Sequence, residues 1–198
     1  DNISVKLAEE DRSVNNNGLQ VNGTITKTAV ATGADLVAYS GFSASNYLEQ
    51  PYNSDLDFGT GDFSIMLWLK EPANATADYL IERGAGSLEI FKRATGQLDA
   101  YLGAGMTQSS ITIDDDSWHL ITFTRTGGVF SIYIDSILNS TTASTANISS
   151  STPVTTIGAR NDHTSPVSGS IALLRISATV PTAAQIKEIY EAEKPLFQ

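Results

Sequence analysis

The chain has 198 residues, no cysteine, and 22 acidic against 12 basic side chains, giving a net charge of −10. Without cysteine there is no disulfide scaffold and no thiolate metal site, and an acidic field with no basic cluster argues against nucleic acid and anionic membranes as partners. No apolar run approaches the roughly 20 residues of a membrane span, so no membrane insertion is expected, and a chain this long buries about 70% of its unfolded surface in a core that needs no staples.

The chain opens on Asp1, as expected of a processed product or a piece of a longer protein. Short apolar runs set among many Ser, Thr, Gly and Asn residues predict an all-β domain. Residues 19–26, LQVNGTIT, place Asn22-Gly23 between alternating segments and predict a tight hairpin within a lead-in segment, residues 1–35. Further strands are predicted over 46–49, 62–70, 79–82, 87–92, 97–102, 110–113, 117–125, 129–135, 155–158 and 170–177. Glycine-containing breaks separate many of them, which predicts two antiparallel sheets packed face to face as a β-sandwich over residues 36–198, with the lead-in belonging either to that sandwich or to a neighbouring module.

In the segment SWHLITFTRTGGVFSIYIDS, residues 117–136, a turn closed by Thr126-Gly127-Gly128 would set Arg125 opposite Val129. Trp118 and Leu120 would then share a face with Phe130, Ile132 and Ile134, leaving His119, Ile121, Phe123 and Tyr133 on the other. Trp118 is read as packing and His119 as a structural histidine with its hydrogen bonds satisfied. Residues 139–152, NSTTASTANISSST, read as a long exposed loop. One short C-terminal helix is predicted over 182–194. Thr182 and Gln185 have capping-box spacing, and Ile186, Ile189 and Tyr190 form one apolar stripe to lay on the sandwich.

Three segments together resemble the laminin-G-like branch of the concanavalin A-like lectin/glucanase superfamily. They are NYLEQP and SDLDFGTGDFSIMLWLK within 46–70, DSWHLITFTRTGGVFSIYIDSIL at 116–138, and GSIALLRISATVPTAAQIKEIYEAEK at 169–194. The resemblance implies a two-sheet jelly roll. The sequence departs from the family at Ser136, where a glycine commonly follows the strand-ending Asp135, which weakens the expectation of a two-residue turn there. The first 45 residues, with the ending LRISATVPTAAQIKEIYEAEKPLFQ, resemble laminin-G-like modules of marine bacteriophage structural proteins. That resemblance implies a virion or tail-fibre setting, with the domain displayed extracellularly on the virion surface.

The superfamily includes glycosidases, whose Glu-x-Asp-x-x-Glu strand presents two carboxylates on one face. This sequence has no such strand and no Gly-x-Ser-x-Gly elbow, and its histidines are His119 and His163. Asp55, Asp57 and Asp62, like Asp114, Asp115 and Asp116, read as turn formers. No catalytic residue is assigned and no enzyme is expected.

Binding is the remaining expectation. Residues 157–169, IGARNDHTSPVSG, set a fork donor, an amide, an acceptor and an imidazole side by side in Arg160, Asn161, Asp162 and His163, a set suited to sugar hydroxyls. Tyr79, Arg83 and Tyr101 could form a stacking platform. The family resemblance allows calcium, but no spacing singles out a metal ligand and no cofactor is required. The expected function is a non-catalytic, lectin-like module binding host cell-surface glycans, with other virion subunits as further partners, in the form of a homotrimer. The competing expectation is a structural decoration or assembly module without a glycan ligand.

Overall fold

The structure, a computed structural model, describes residues 18–84, 86–103, 105–149 and 154–198. Its strands are β1 (Gln20–Asn22), β2 (Thr26–Ala29), β3 (Val37–Ser40), β4 (Tyr47–Gln50), β5 (Phe63–Lys70), β6 (Asp78–Arg83) and β7 (Leu88–Lys92). They continue with β8 (Gln97–Leu102), β9 (Gly105–Thr112), β10 (Trp118–Thr126), β11 (Val129–Ile134), β12 (Ile137–Ala143), β13 (Thr155–Ile157) and β14 (Ser170–Ser177), followed by helix α1 (Ala183–Glu193). One seven-stranded sheet, sheet A, has the order β1-β4-β13-β6-β7-β8-β9, and sheet B has the order β12-β11-β10-β5-β14-β3-β2. All neighbours pair antiparallel, as the sequence predicts for a sandwich with one C-terminal helix.

The core lies between the sheets. From sheet B, Phe63, Ile65, Leu67 and Leu69 of β5 point inward with Ile121 and Phe123 of β10, all fully buried. They meet Leu48, Ile81, Ile90, Leu98, Ala100 and Ile157 of sheet A. The other face of β5 is apolar as well. Met66 and Trp68 pack with Leu120, Ala172 and Phe197 in a second cluster. Trp68 stacks on Phe197 at 4.2 Å and donates from Nε1 to Glu193 at 2.7 Å, which ties the helix and its tail across sheet B. The predicted capping box is formed, with Thr182 and Gln185 each satisfying the other's backbone N–H.

Four local expectations are corrected. Asn22-Gly23 closes no hairpin, because β1 pairs with β4 in sheet A while β2 pairs with β3 in sheet B. The glycine is needed for a close approach instead. At φ 68° it sits where a Cβ would lie 2.2 Å from the Ser45 carbonyl oxygen, and the bend carries the chain from one sheet to the other. In the central hairpin Gly127 and Gly128, at φ 56° and 78°, form a two-residue turn, so Thr126 faces Val129 and Arg125 faces Phe130. That one-residue shift puts Phe130, Ile132 and Ile134 on the inner face with Ile121 and Phe123, and Tyr133 on the outer face with Thr122.

Asp135 and Ser136 also make a two-residue turn, at φ 51° and 68°, joining Ile134 to Ile137. The left-handed backbone at Asp135 is offset by its carboxylate, which accepts from the Leu120 N–H at 2.9 Å and contacts His119 Nδ1 at 2.8 Å. With Nε2 at 3.1 Å from Asp115, His119 is held on both ring nitrogens. The segment 139–152 is not one long loop, because its first five residues belong to β12 at the edge of sheet B.

Arg125 fastens one end of the sandwich. Its buried guanidinium donates to the carbonyls of Gly59, Gly61 and Ala146, each at 2.7 Å, and lies 5.0 Å over the Phe63 ring. Arg125→Met keeps the aliphatic stem but strands three carbonyls, and is expected to lower stability by about 3 kcal/mol in urea unfolding.

Candidate functional site

Because helix α1 covers the outer face of sheet B, the outer face of sheet A is the broad surface left for other work. Strand alternation decides which side chains it carries. One cross-strand row runs Glu49, Thr156, Glu82, Glu89, Tyr101, Met106, and a second runs Tyr79, Phe91, Asp99, Gln108. Tyr79 and Phe91 stack at 4.8 Å with a 12° tilt. Both rings remain half-exposed.

The segment 158–168 folds across this face. It starts at Gly158, whose φ of 84° and contact with Phe42, 2.1 Å from where a Cβ would lie, admit only glycine. Gly158 N–H donates to the Leu80 carbonyl and Val167 N–H to the Gly158 carbonyl, so both ends of the loop are pinned. Between them Asn161 is the anchor. Its N–H donates to Glu82 Oε2 at 2.7 Å, and its amide, in the orientation that satisfies both ends, reaches the Glu82 carbonyl, Thr156 Oγ1 and Gly84 N–H. Burial raises the Glu82 carboxyl above its ordinary range, the Asn161 N–H pulls it down, and Glu89 across the strand pushes it up.

This anchoring presents Arg160 and His163 outward. The Arg160 guanidinium lies 5.0 Å over Tyr79, extending the Tyr79–Phe91 stack, and its side chain is 40% exposed. Its contact with Glu82 is long, at 3.8 Å, which leaves its fork of donors available. His163, in the left-handed region at φ 62°, stacks on Tyr47 at 4.0 Å. Asp162 forms a local turn, accepting from the Thr164 N–H and hydroxyl at 3.0 and 2.6 Å, and these bonds hold its carboxyl below the ordinary range.

Of the residues singled out in the sequence, the structure therefore brings Tyr79, Arg160, Asp162 and His163 to one face, with Asn161 beneath as their anchor. Tyr101 shares that face one strand beyond β7, its hydroxyl donating to the Gly103 carbonyl at 2.8 Å. Arg83 does not join them. It points into the sandwich, 2% exposed, ion-paired with Asp57, so Arg160 rather than Arg83 covers Tyr79. Sequence reasoning missed Tyr47, Phe91, Glu82 and Glu89. Their signal was strand alternation, since Tyr47 and Glu49 flank the buried Leu48, and Glu89 and Phe91 flank the buried Ile90. Among the described residues no group of three acidic or histidine side chains converges to hold a metal ion.

A family model described as the concanavalin A-like lectin/glucanases superfamily, Laminin_G_3, matches residues 42–187. The chain belongs to that superfamily. No curated protein sequence matches this member. Its fold is similar to the binding domain of Paraclostridial Mosquitocidal Protein 1, with a TM-score of 0.72 at 16% identity over 92% of this chain and 49% of that one. It is also similar to the binding domain of Botulinum neurotoxin DC, solved in complex with rat synaptotagmin II (TM-score 0.72, 15% identity, 92% of this chain and 48% of that one). The same neurotoxin domain in complex with SialylT gives a TM-score of 0.70 at 15% identity, with 92% of this chain and 48% of that one covered. The superfamily member thus spans about half the length of those binding domains, and the likeness is one of fold.

Beside the loop, a cleft of about 530 Å³ opens between residues 76–78 and 165–168. Close to it in the fold lies a buried ionic cluster. Lys92 Nζ meets Asn74 Oδ1 at 2.7 Å and Asp78 at 3.7 Å, and Glu71 lies fully buried beside them. Burial, then the Asp78 charge, push the Glu71 carboxyl up to about 8 from an ordinary 4.5. A carboxyl with a raised folded value contributes stability that is complete below the unfolded value and is lost as pH rises through the folded one. Stability should therefore decline between about pH 4.5 and 8 on this group's behalf. Glu71→Gln is expected to flatten that decline, so that thermal melts show its advantage over wild type growing from pH 5 to pH 8.

Proposed function

We propose that this domain is a non-catalytic carbohydrate-binding module whose ligand lies on the outer face of sheet A, against Arg160, His163 and the Tyr79–Phe91 stack. The observation that carries the reading is the Arg160 guanidinium held over Tyr79 with its donors outward, on a loop pinned at Gly158, Asn161 and Val167. A guanidinium fork suits paired sugar hydroxyls, and half-exposed aromatic rings suit the apolar face of a pyranose. The net charge of −10 favours neutral or cationic glycans over anionic ones. The neurotoxin binding domain solved in complex with SialylT shares this fold over 48% of its length, and what it binds is a property of that protein.

Two features support the absence of catalysis. Glu82 and Glu89 face one another across two strands rather than lying on one, and Glu82 is 2% exposed with its carboxylate engaged by the Asn161 N–H. Glu89 accepts from the Gly86 N–H at 2.8 Å. Neither carboxylate is placed to protonate a leaving group or to attack a sugar. Calcium is not required in this reading.

The setting we propose is the surface of a phage virion or tail fibre, where the module attaches to host cell-surface glycans. It rests on the resemblance of the first 45 residues and the final segment to phage structural modules. Single lectin-type sites bind with only about −4 to −8 kcal/mol, and repetition on a particle raises avidity about 10²–10⁴-fold. The test is a glycan array with whole-cell binding, run with calcium and with chelator. Arg160→Ala and His163→Ala should each weaken binding by about tenfold, or about 1.4 kcal/mol, and the chelator should change nothing. Glycan binding that survives both substitutions would contradict this site, and silence on every glycan and cell would contradict the lectin reading.

A further inference from the structure

Strands β9 and β12 are the outermost strands of the two sheets and lie side by side, with Ser110 N–H donating to Asn139 Oδ1 at 2.6 Å. The flank they form is unlike the rest of the surface. No charged residue occurs in 100–113 or in 136–159, in a chain with 22 acidic and 12 basic side chains. Large apolar side chains stand out from it, with Ile137 70% exposed, Leu138 52% and Ile111 48%.

Edge strands carry a row of unpaired backbone N–H and C=O groups, and proteins that stay monomeric blunt them by shortness, lysine or proline. The opposite flank follows that rule. There β1 has three residues, and β2 has four with Lys27 among them. By contrast β12 has seven residues, ILNSTTA, with neither a charge nor a proline.

We infer that the protein self-associates through this flank, β12 of one copy running antiparallel to β12 of a second about a two-fold axis. Charge selects the occupant. Two copies each carrying −10 repel one another over most of their surfaces, and β12, which carries no charge of its own, is where that repulsion is weakest. A charged partner would find no counter-charge on β12 itself. An antiparallel strand is its own complement under a two-fold, so the same patch serves both copies. The contact leaves the outer face of sheet A uncovered and does not depend on the glycan reading.

Sedimentation velocity across a micromolar-to-millimolar concentration series tests it. Wild type should rise from one toward two monomer masses, and added salt should strengthen the association by screening like charge. Thr141→Lys and Leu138→Lys, both at exposed β12 positions, should each weaken dimerisation by about tenfold or more with thermal unfolding nearly unchanged. Thr28→Lys on the opposite edge should leave it intact. A monomer throughout, a trimer, or a dimer indifferent to both β12 lysines would overturn the inference.

Discussion

Strand β5 is apolar on both faces, and that constraint orders the molecule. Its inner residues, Phe63, Ile65, Leu67 and Leu69, demand a second sheet, and each is worth about 1.5–3 kcal/mol when buried. Its outer residues, Met66 and Trp68, demand a second cover on the other side. Helix α1 and Phe197 supply it. A sandwich with one sheet covered twice has one broad face left, on sheet A. The position of a ligand surface thus follows from packing on the opposite side of the domain.

What makes that face a site is the way the 158–168 segment is held. Asn161 turns inward to Glu82, and the residues on either side of it, Arg160 and Asp162, are left facing away from the sheet. Polar anchoring at one position thus presents the neighbouring side chains in fixed geometry. The aromatic stacks, Arg160 on Tyr79 and His163 on Tyr47, hold those groups without closing them off.

Much of the fold is legible in the sequence because strands buried on one face leave a two-residue period and β5, buried on both, leaves a nearly unbroken apolar run, and ten predicted strands fall on observed ones. The failures have local causes. Asn22-Gly23 satisfies a hairpin rule, but the glycine answers to a close approach against Ser45 from 22 residues away in the chain. The Gly127-Gly128 turn was misplaced by one residue because a two-residue and a three-residue turn use the same glycines. Strand β12 lacks an apolar alternation because it is an edge, with little of it buried. The candidate site was half legible. Arg160 and His163 stand in a loop where packing gives them no reason to be, whereas Arg83, on a strand, could not be told from Tyr79 until the bulge between Tyr79 and Ile81 set its direction inward.

The most direct test of a ligand face on sheet A is amide chemical-shift mapping of the labelled domain titrated with a glycan that it binds. Both tryptophans lie on the sheet B side, Trp68 under the helix and Trp118 against Phe197, and their indole signals act as internal controls. Shifts should gather at Tyr47, Tyr79, Phe91 and Arg160 to Thr164 while both indoles stay still. Shifts that gather instead at Trp118, Tyr190 and Lys194, which line a cleft of about 300 Å³ beside the helix, would put the ligand on the wrong sheet for this reading.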